Sequence, residues 1–140
     1  MVKKEKPKIV FTVGKRKIAV ARARVVLGTG KVLINSKPLE IWGSEFLRMR
    51  IKEPLILSDD LGGKLNFFVN VKGGGLTGQT EAIRMTIARG IVDFFKDKKL
   101  AEKFLAYDRN MMVFDYRRTE PHKPSASKRG PRRHKQRSKR

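Results

Sequence analysis

The chain has no cysteine, so disulfides, thiol nucleophiles and cysteine-based zinc sites are excluded from the start. It has only two histidines, His122 and His134, twelve residues apart in the last quarter of the sequence and without a carboxylate neighbour suited to a metal or a triad. Long apolar runs are missing too: no stretch approaches the ~18 residues needed to cross a membrane. The opening Met1-Val2-Lys3-Lys4-Glu5-Lys6-Pro7 has no signal-peptide core, and a cytosolic protein is expected. Negative charge is the scarcest property of all, with 13 Asp or Glu against 34 Lys or Arg and a net charge of +21. A free chain so charged repels itself, and a polyanionic partner is the economical explanation. An anionic membrane surface would also suit the charge, but nothing apolar accompanies it.

The positive charge is concentrated at one end. From Arg117 to Arg140 there are eleven Lys or Arg against the single acid Glu120, no Phe, Tyr or Trp, and apart from Ala126 and the prolines no aliphatic side chain. On its own such a segment cannot offset the entropy of being ordered, and disorder is expected. Arginine outnumbers lysine seven to four, and the guanidinium fork matches phosphate. Without Phe, Tyr or Trp to stack on bases, this tail is expected to read backbone charge and shape rather than sequence. Fully extended it would reach about 80 Å. The chain therefore divides into a body, residues 1–116, and an arm, residues 117–140. The body keeps a net +11 of its own, and its length suits a single two-layer core.

Within the body, Lys8 to Val13 reads as a strand ending at Gly14, followed by the cationic junction Lys15-Arg16-Lys17. Ile18 to Leu27 alternates with period two: Ala19, Ala21, Ala23 and Val25 share one face, small enough for a helix to lie close. Ile18, Val20, Arg22 and Arg24 share the other. Gly28-Thr29-Gly30 signals a turn, and Lys31 to Asn35 is expected to close a hairpin with the preceding strand. A short helix is expected from Ser44 as N-cap, packing Phe46, Leu47 and Ile51 and stopped by Pro54. Trp42 reads as a packing residue of the core or its edge. Ser58 to Gly63 reads as a loop, with Asp59 and Asp60 too few to hold a metal. Leu65 to Val71 is a fourth strand. A helix from about Thr80 to Phe95 has Ile83, Ile87, Ile91 and Phe94 as its apolar stripe, with Arg84 and Arg89 off it. A shorter helix from about Lys98 to Leu105 follows, and Met111 to Phe114 is a last strand or a docking segment at the base of the arm.

Between the fourth strand and the long helix stands Lys72-Gly73-Gly74-Gly75-Leu76-Thr77-Gly78-Gln79-Thr80. Gly73 and Gly78-Gln79-Thr80 fit a phosphate-binding loop except that Gln79 replaces the lysine. A neutral amide cannot place a point charge on the β- and γ-phosphates, and no strand ends in an acid that would help hold Mg²⁺. A nucleotide hydrolase is therefore disfavoured, and no enzyme is expected. Two uses of the glycines remain open: a close backbone approach to a phosphate at a helix start, or a tight turn with close strand-to-helix packing. A DNA-architectural protein would suit the charge, but the arm offers neither a wedge residue nor a groove-reading helix.

Four stretches carry a resemblance to a known family: Gly14-Lys15-Arg16-Lys17 with Ala21 to Val25; Gly30 to Asn35; Val71 to Gln79 through Ala82-Ile83-Arg84; and the terminal Ser138-Lys139-Arg140. In these the chain resembles the ninth protein of the small ribosomal subunit, the universal S-nine family. Between Tyr116 and Gln136 it is closer to the archaeal and eukaryotic form than to the bacterial one. The resemblance implies an α+β fold: a two-layer sandwich with about four strands, helices on one face, a left-handed β-α-β crossover like that of domain two of ribosomal protein S-five, and the extended basic tail. It implies a structural constituent of the small-subunit head in the cytoplasm, bound to small-subunit ribosomal RNA beside neighbouring head proteins, with no cofactor, small-molecule substrate or membrane. The expected RNA contacts are Lys15, Arg16, Lys17, Arg22, Arg24, Lys72, Gly73, Gly74, Gly75 and Arg84 in the body. In the arm they are Arg117, Arg118, Lys123, Lys128, Arg129, Arg132 and Arg133. Ser138, Lys139 and Arg140 match the positions that approach transfer RNA in the peptidyl site.

Overall fold

The computed structural model describes residues 8–124. It shows an α+β arrangement in which one mixed sheet is covered by helices on one face. The strands are β1 (Ile9–Arg16), β2 (Ala19–Leu27), β3 (Val32–Ile34), β4 (Lys37–Pro38) and β5 (Leu65–Lys72). The helices are α1 (Glu45–Leu57), α2 (Asp60–Gly63), α3 (Leu76–Phe95) and α4 (Lys98–Tyr107), with single 3₁₀ turns at Leu39–Ile41 and Arg109–Met111. The strand order is β1-β2-β5-β3-β4. All neighbours are antiparallel except β3 and β5, which run parallel and are joined through α1 as a β-α-β unit.

The alternation in β2 decides the layering. Ala19, Ala21, Ala23 and Val25 are buried, as are Leu65, Phe67, Val69 and Val71 of β5, and both rows face α3. The α3 stripe of Ile83, Ile87, Ile91 and Phe94 is buried against them, each such side chain contributing roughly 1.5–3 kcal/mol. Small residues set the spacing. A Cβ on Gly14 would lie 2.2 Å from the Ala82 carbonyl oxygen, and one on Gly90 would lie 2.8 Å from Val25 Cγ2. Two buried threonines complete the seam, with Thr12 Oγ1 donating to the Thr86 carbonyl at 3.0 Å and Thr86 Oγ1 to that of Ala82 at 2.8 Å.

Several boundaries differ from the sequence expectation. The first strand continues through Gly14 to Arg16, because glycine there permits the close approach of α3 without ending the β1–β2 pairing. Lys31 to Asn35 does not form a hairpin with β2. The longer β5 inserts between them, and Asn66 holds the turn by accepting from the backbone N–H groups of Thr29 at 2.9 Å and Lys31 at 3.0 Å. The sheet gains a fifth, two-residue strand at its edge. Pro54 does not stop α1: it lies buried near the end of the helix, where one backbone bond is lost, and Ser58 N–H still donates to its carbonyl. Ile51 packs inward as expected, but Phe46 is exposed. Asp60 to Gly63 is a helical turn rather than loop, and α3 begins at Leu76, one turn before Thr80.

Candidate nucleic-acid interface

The sheet face turned away from the helices is open, and register fixes its side chains. Lys15, Val20 and Lys72 form one cross-strand row, Val13, Arg22 and Asn70 the next, and Phe11, Arg24 and Phe68 a third. Lys15, Arg22, Arg24 and Lys72 are all exposed. Among the described residues, none of the five strands contains an Asp or Glu, so these cations meet no carboxylate within the sheet. The Arg24 guanidinium lies over the Phe68 ring at 4.7 Å. Lys17 extends the charge to the exposed tip between β1 and β2.

The glycine loop adjoins that tip. Gly73 and Gly74 take positive φ values of 80° and 69°, and a Cβ on Gly73 would meet the Ile18 carbonyl oxygen at 2.8 Å. The Gln79 side chain donates back to the Gly73 carbonyl at 3.1 Å. These contacts make the loop a tight turn packed on the start of β2, and they give Gln79 a local task in place of phosphate contact. The same turn leaves Gly75 exposed as the N-cap of α3, with no side chain capping the helix. Its first N–H groups carry the positive partial charge that favours an anion.

Arg84 is a correction. The sequence places it off the apolar stripe, yet it is only 2% exposed. Its guanidinium is engaged by Glu53 of α1 at 2.5 Å, by Asp108 at 2.6 Å and by Glu81, one turn earlier in α3, at 3.6 Å. Burial alone disfavours its charge, but the Asp108 hydrogen bond and the three carboxylates outweigh that and raise its pKa. A group so committed joins α1, α3 and the end of α4; it does not offer a surface to RNA. Arg16 also turns to the helix side of β1, pairing with Asp115.

Asp115 organises the base of the arm. It is buried, forms a parallel bridge with Arg16 beside β1, and accepts from the Arg117 backbone N–H at 3.0 Å and from its guanidinium at 2.7 Å. The side-chain and backbone bonds from Arg117, with Arg16 nearby, hold its carboxyl well below the usual range. Arg89 ties the same segment down by donating to the carbonyls of Met112 at 2.8 Å and Val13 at 2.9 Å. Met111 is buried, so the segment after α4 is the docking element expected there. Arg118 lies 5.1 Å from the Phe114 ring and lines one cavity with Lys15 and Arg89, which brings the arm's first cations to the edge of the open face. Lys123 is exposed, and Lys128, Arg129, Arg132, Arg133, Ser138, Lys139 and Arg140 lie outside the described residues.

Sequence reasoning missed three elements here: Phe11 and Phe68 among the cations, Arg89 as a tie, and Asp115 as an anchor. The first pair was available from alternation, since Phe11, Val13 and Lys15 are two residues apart.

Comparison with known proteins agrees with the earlier resemblance. The sequence model of the family described as Ribosomal protein S9/S16 matches residues 14–140. A protein of Methanococcus vannielii named small ribosomal subunit protein uS9 is 47% identical over 131 residues, 94% of this chain and 98% of that protein. A protein of the same name from Pyrobaculum aerophilum is 48% identical over 123 residues, 88% of this chain and 87% of its own length. With the match spanning both the body and the arm, the chain belongs to the ribosomal protein S9/S16 family.

Proposed function

We propose that this family member is a structural, non-catalytic constituent of the small ribosomal subunit, working on the ribosome in the cytoplasm and held by its RNA. The observation that carries the reading is the acid-free open face, where Lys15, Arg22, Arg24 and Lys72 stand exposed without carboxylate partners on their own sheet. The glycine loop and Lys17 extend that surface at one end. The arm continues it from Arg117 and Arg118 through Lys123 to Lys128, Arg129, Arg132 and Arg133, neutralising phosphates along its path. Its last residues, Ser138, Lys139 and Arg140, are assigned to transfer RNA in the peptidyl site, on the strength of their match to the family's terminal positions. Neighbouring small-subunit proteins complete the set of partners.

Salt tests the RNA part. If six to ten phosphates are engaged, affinity for small-subunit RNA falls about a thousandfold or more between roughly 50 and 200 mM salt. A titration with little salt response removes the reading. Co-sedimentation with small subunits in high salt separates a built-in constituent, which stays, from a loosely attached polycation, which washes away.

A further inference from the structure

The open face carries more than charge: it also holds two phenylalanines, Phe11 exposed and Phe68 half-buried. Phe11 is 75% exposed in the middle of β1, on the side opposite the core. It stands across from Arg24, and Arg24 stands across from Phe68. Two strand spacings put Phe11 and Phe68 about 10 Å apart. The Arg24 guanidinium lies over the Phe68 ring, while the Phe11 ring remains exposed. Phe11, Val13, Arg22, Arg24, Phe68 and Lys72 together line a depression of about 410 Å³.

An exposed phenyl ring surrounded by cations gains nothing from a duplex, whose bases are already stacked inside and whose outside is phosphate and sugar. A ring flanked by arginines is what an unpaired nucleotide requires, with a flat apolar surface for the base and fixed positive charge for the phosphates beside it. A guanidinium plane lying on a second ring offers the neighbouring base another surface.

We propose that this sheet face binds an unpaired segment of RNA, a loop or bulge, with one base stacked on Phe11, the next resting on the Arg24–Phe68 pair, and the flanking phosphates on Arg22, Lys15 and Lys72. The inference deepens the RNA-binding reading above and rests on it. It states which form of RNA the body takes. Along the middle of the arm, which has no Phe, Tyr or Trp, contact is with phosphate charge; the body discriminates paired from unpaired strands.

The test uses the full chain with two probes of equal phosphate number, an RNA hairpin with an unpaired loop and a fully paired RNA duplex. The native chain binds the hairpin more tightly. Phe11→Ala weakens hairpin binding about tenfold, leaves duplex binding unchanged and leaves the salt slope unchanged, since no charge is removed. Phe11→Trp restores the preference, while Phe11→Leu, which keeps apolar bulk without a ring face, does not. Circular dichroism and the urea midpoint confirm that these variants of an exposed residue fold as the native chain does. Equal binding of the two probes by the native chain, or a Phe11→Ala loss that is absent or the same on both, overturns the stacking inference while RNA binding stands. Salt-insensitive binding of both probes overturns the RNA reading beneath it.

Discussion

Among single residues, Arg22 and Arg84 show how one side-chain type takes opposite roles. Both are arginines beside an apolar pattern, but Arg22 points from the open face and Arg84 into the junction of α1, α3 and the end of α4. Replacing Arg84 by Met leaves Glu53, Glu81 and Asp108 clustered around a neutral side chain. Breaking a buried ion group from one side typically costs 3–5 kcal/mol, and since all three carboxylates retain some exposure, a value near the lower end, about 3 kcal/mol, is expected. Arg22→Met alters stability by about 0.5 kcal/mol or less, as exposed substitutions usually do, and lowers the RNA salt slope by about one. Urea unfolding and salt titration of the two variants measure both quantities. A large loss of salt slope in folded Arg84→Met protein would return Arg84 to the RNA surface.

Each element does two jobs, and sequence patterns report only one of them. Alternation in β2 correctly assigned Ala19, Ala21, Ala23 and Val25 to the core and Arg22 and Arg24 to the outside, because face is a local property with period two. The α3 stripe was legible for the same reason. Which strand lies beside β2 was not, since β5 is nearly forty residues away and is selected by length, by its own buried row and by Asn66. The partners of Arg84 and Arg16 were equally hidden, because Glu53, Asp108 and Asp115 come from other elements. The segment after α4 illustrates the second job: it packs Met111 inward and, through Asp115, sets the base of the arm beside the end of β1. The Asp115 carboxyl is depressed in the folded chain, so its contribution is complete above the ordinary carboxylate pKa, about 4, and is lost as pH falls below that toward its lower native value. The protection factors of amides 112–117, taken relative to intrinsic exchange at each pH, are expected to hold at pH 5 and to fall on acidification below about pH 4. In Asp115→Asn the same amides are less protected at neutral pH, and the acid dependence of their protection is reduced. Protection in the variant equal to the native chain's would show that Arg89 and the buried Met111 hold the segment without Asp115.

Taken whole, the molecule sorts its charge by task. Among the described residues, all five strands are free of acid, and the carboxylates that pair with arginines lie on the helices and on the segment leading to the arm. The net charge divides nearly evenly, +11 on the first 116 residues and +10 on the last 24. On the proposed function, that division separates attachment from reach. Deleting Ser138, Lys139 and Arg140 removes two cations of 34, so the loss in binding to subunit RNA stays within about two units of salt slope. Assembly of the subunit should therefore proceed nearly as before. If those three residues hold transfer RNA, its dissociation from the peptidyl site quickens while binding at other sites and subunit yield do not change. Charge alone cannot produce that pattern, because losing any two cations of the arm would act equally on every phosphate in reach. The matched control is Arg132→Ala with Arg133→Ala, which removes the same charge from the middle of the arm and should leave peptidyl-site dissociation untouched. Equal effects from both changes would reduce the arm's end to bulk charge, and unchanged dissociation after the deletion would remove its role in holding transfer RNA.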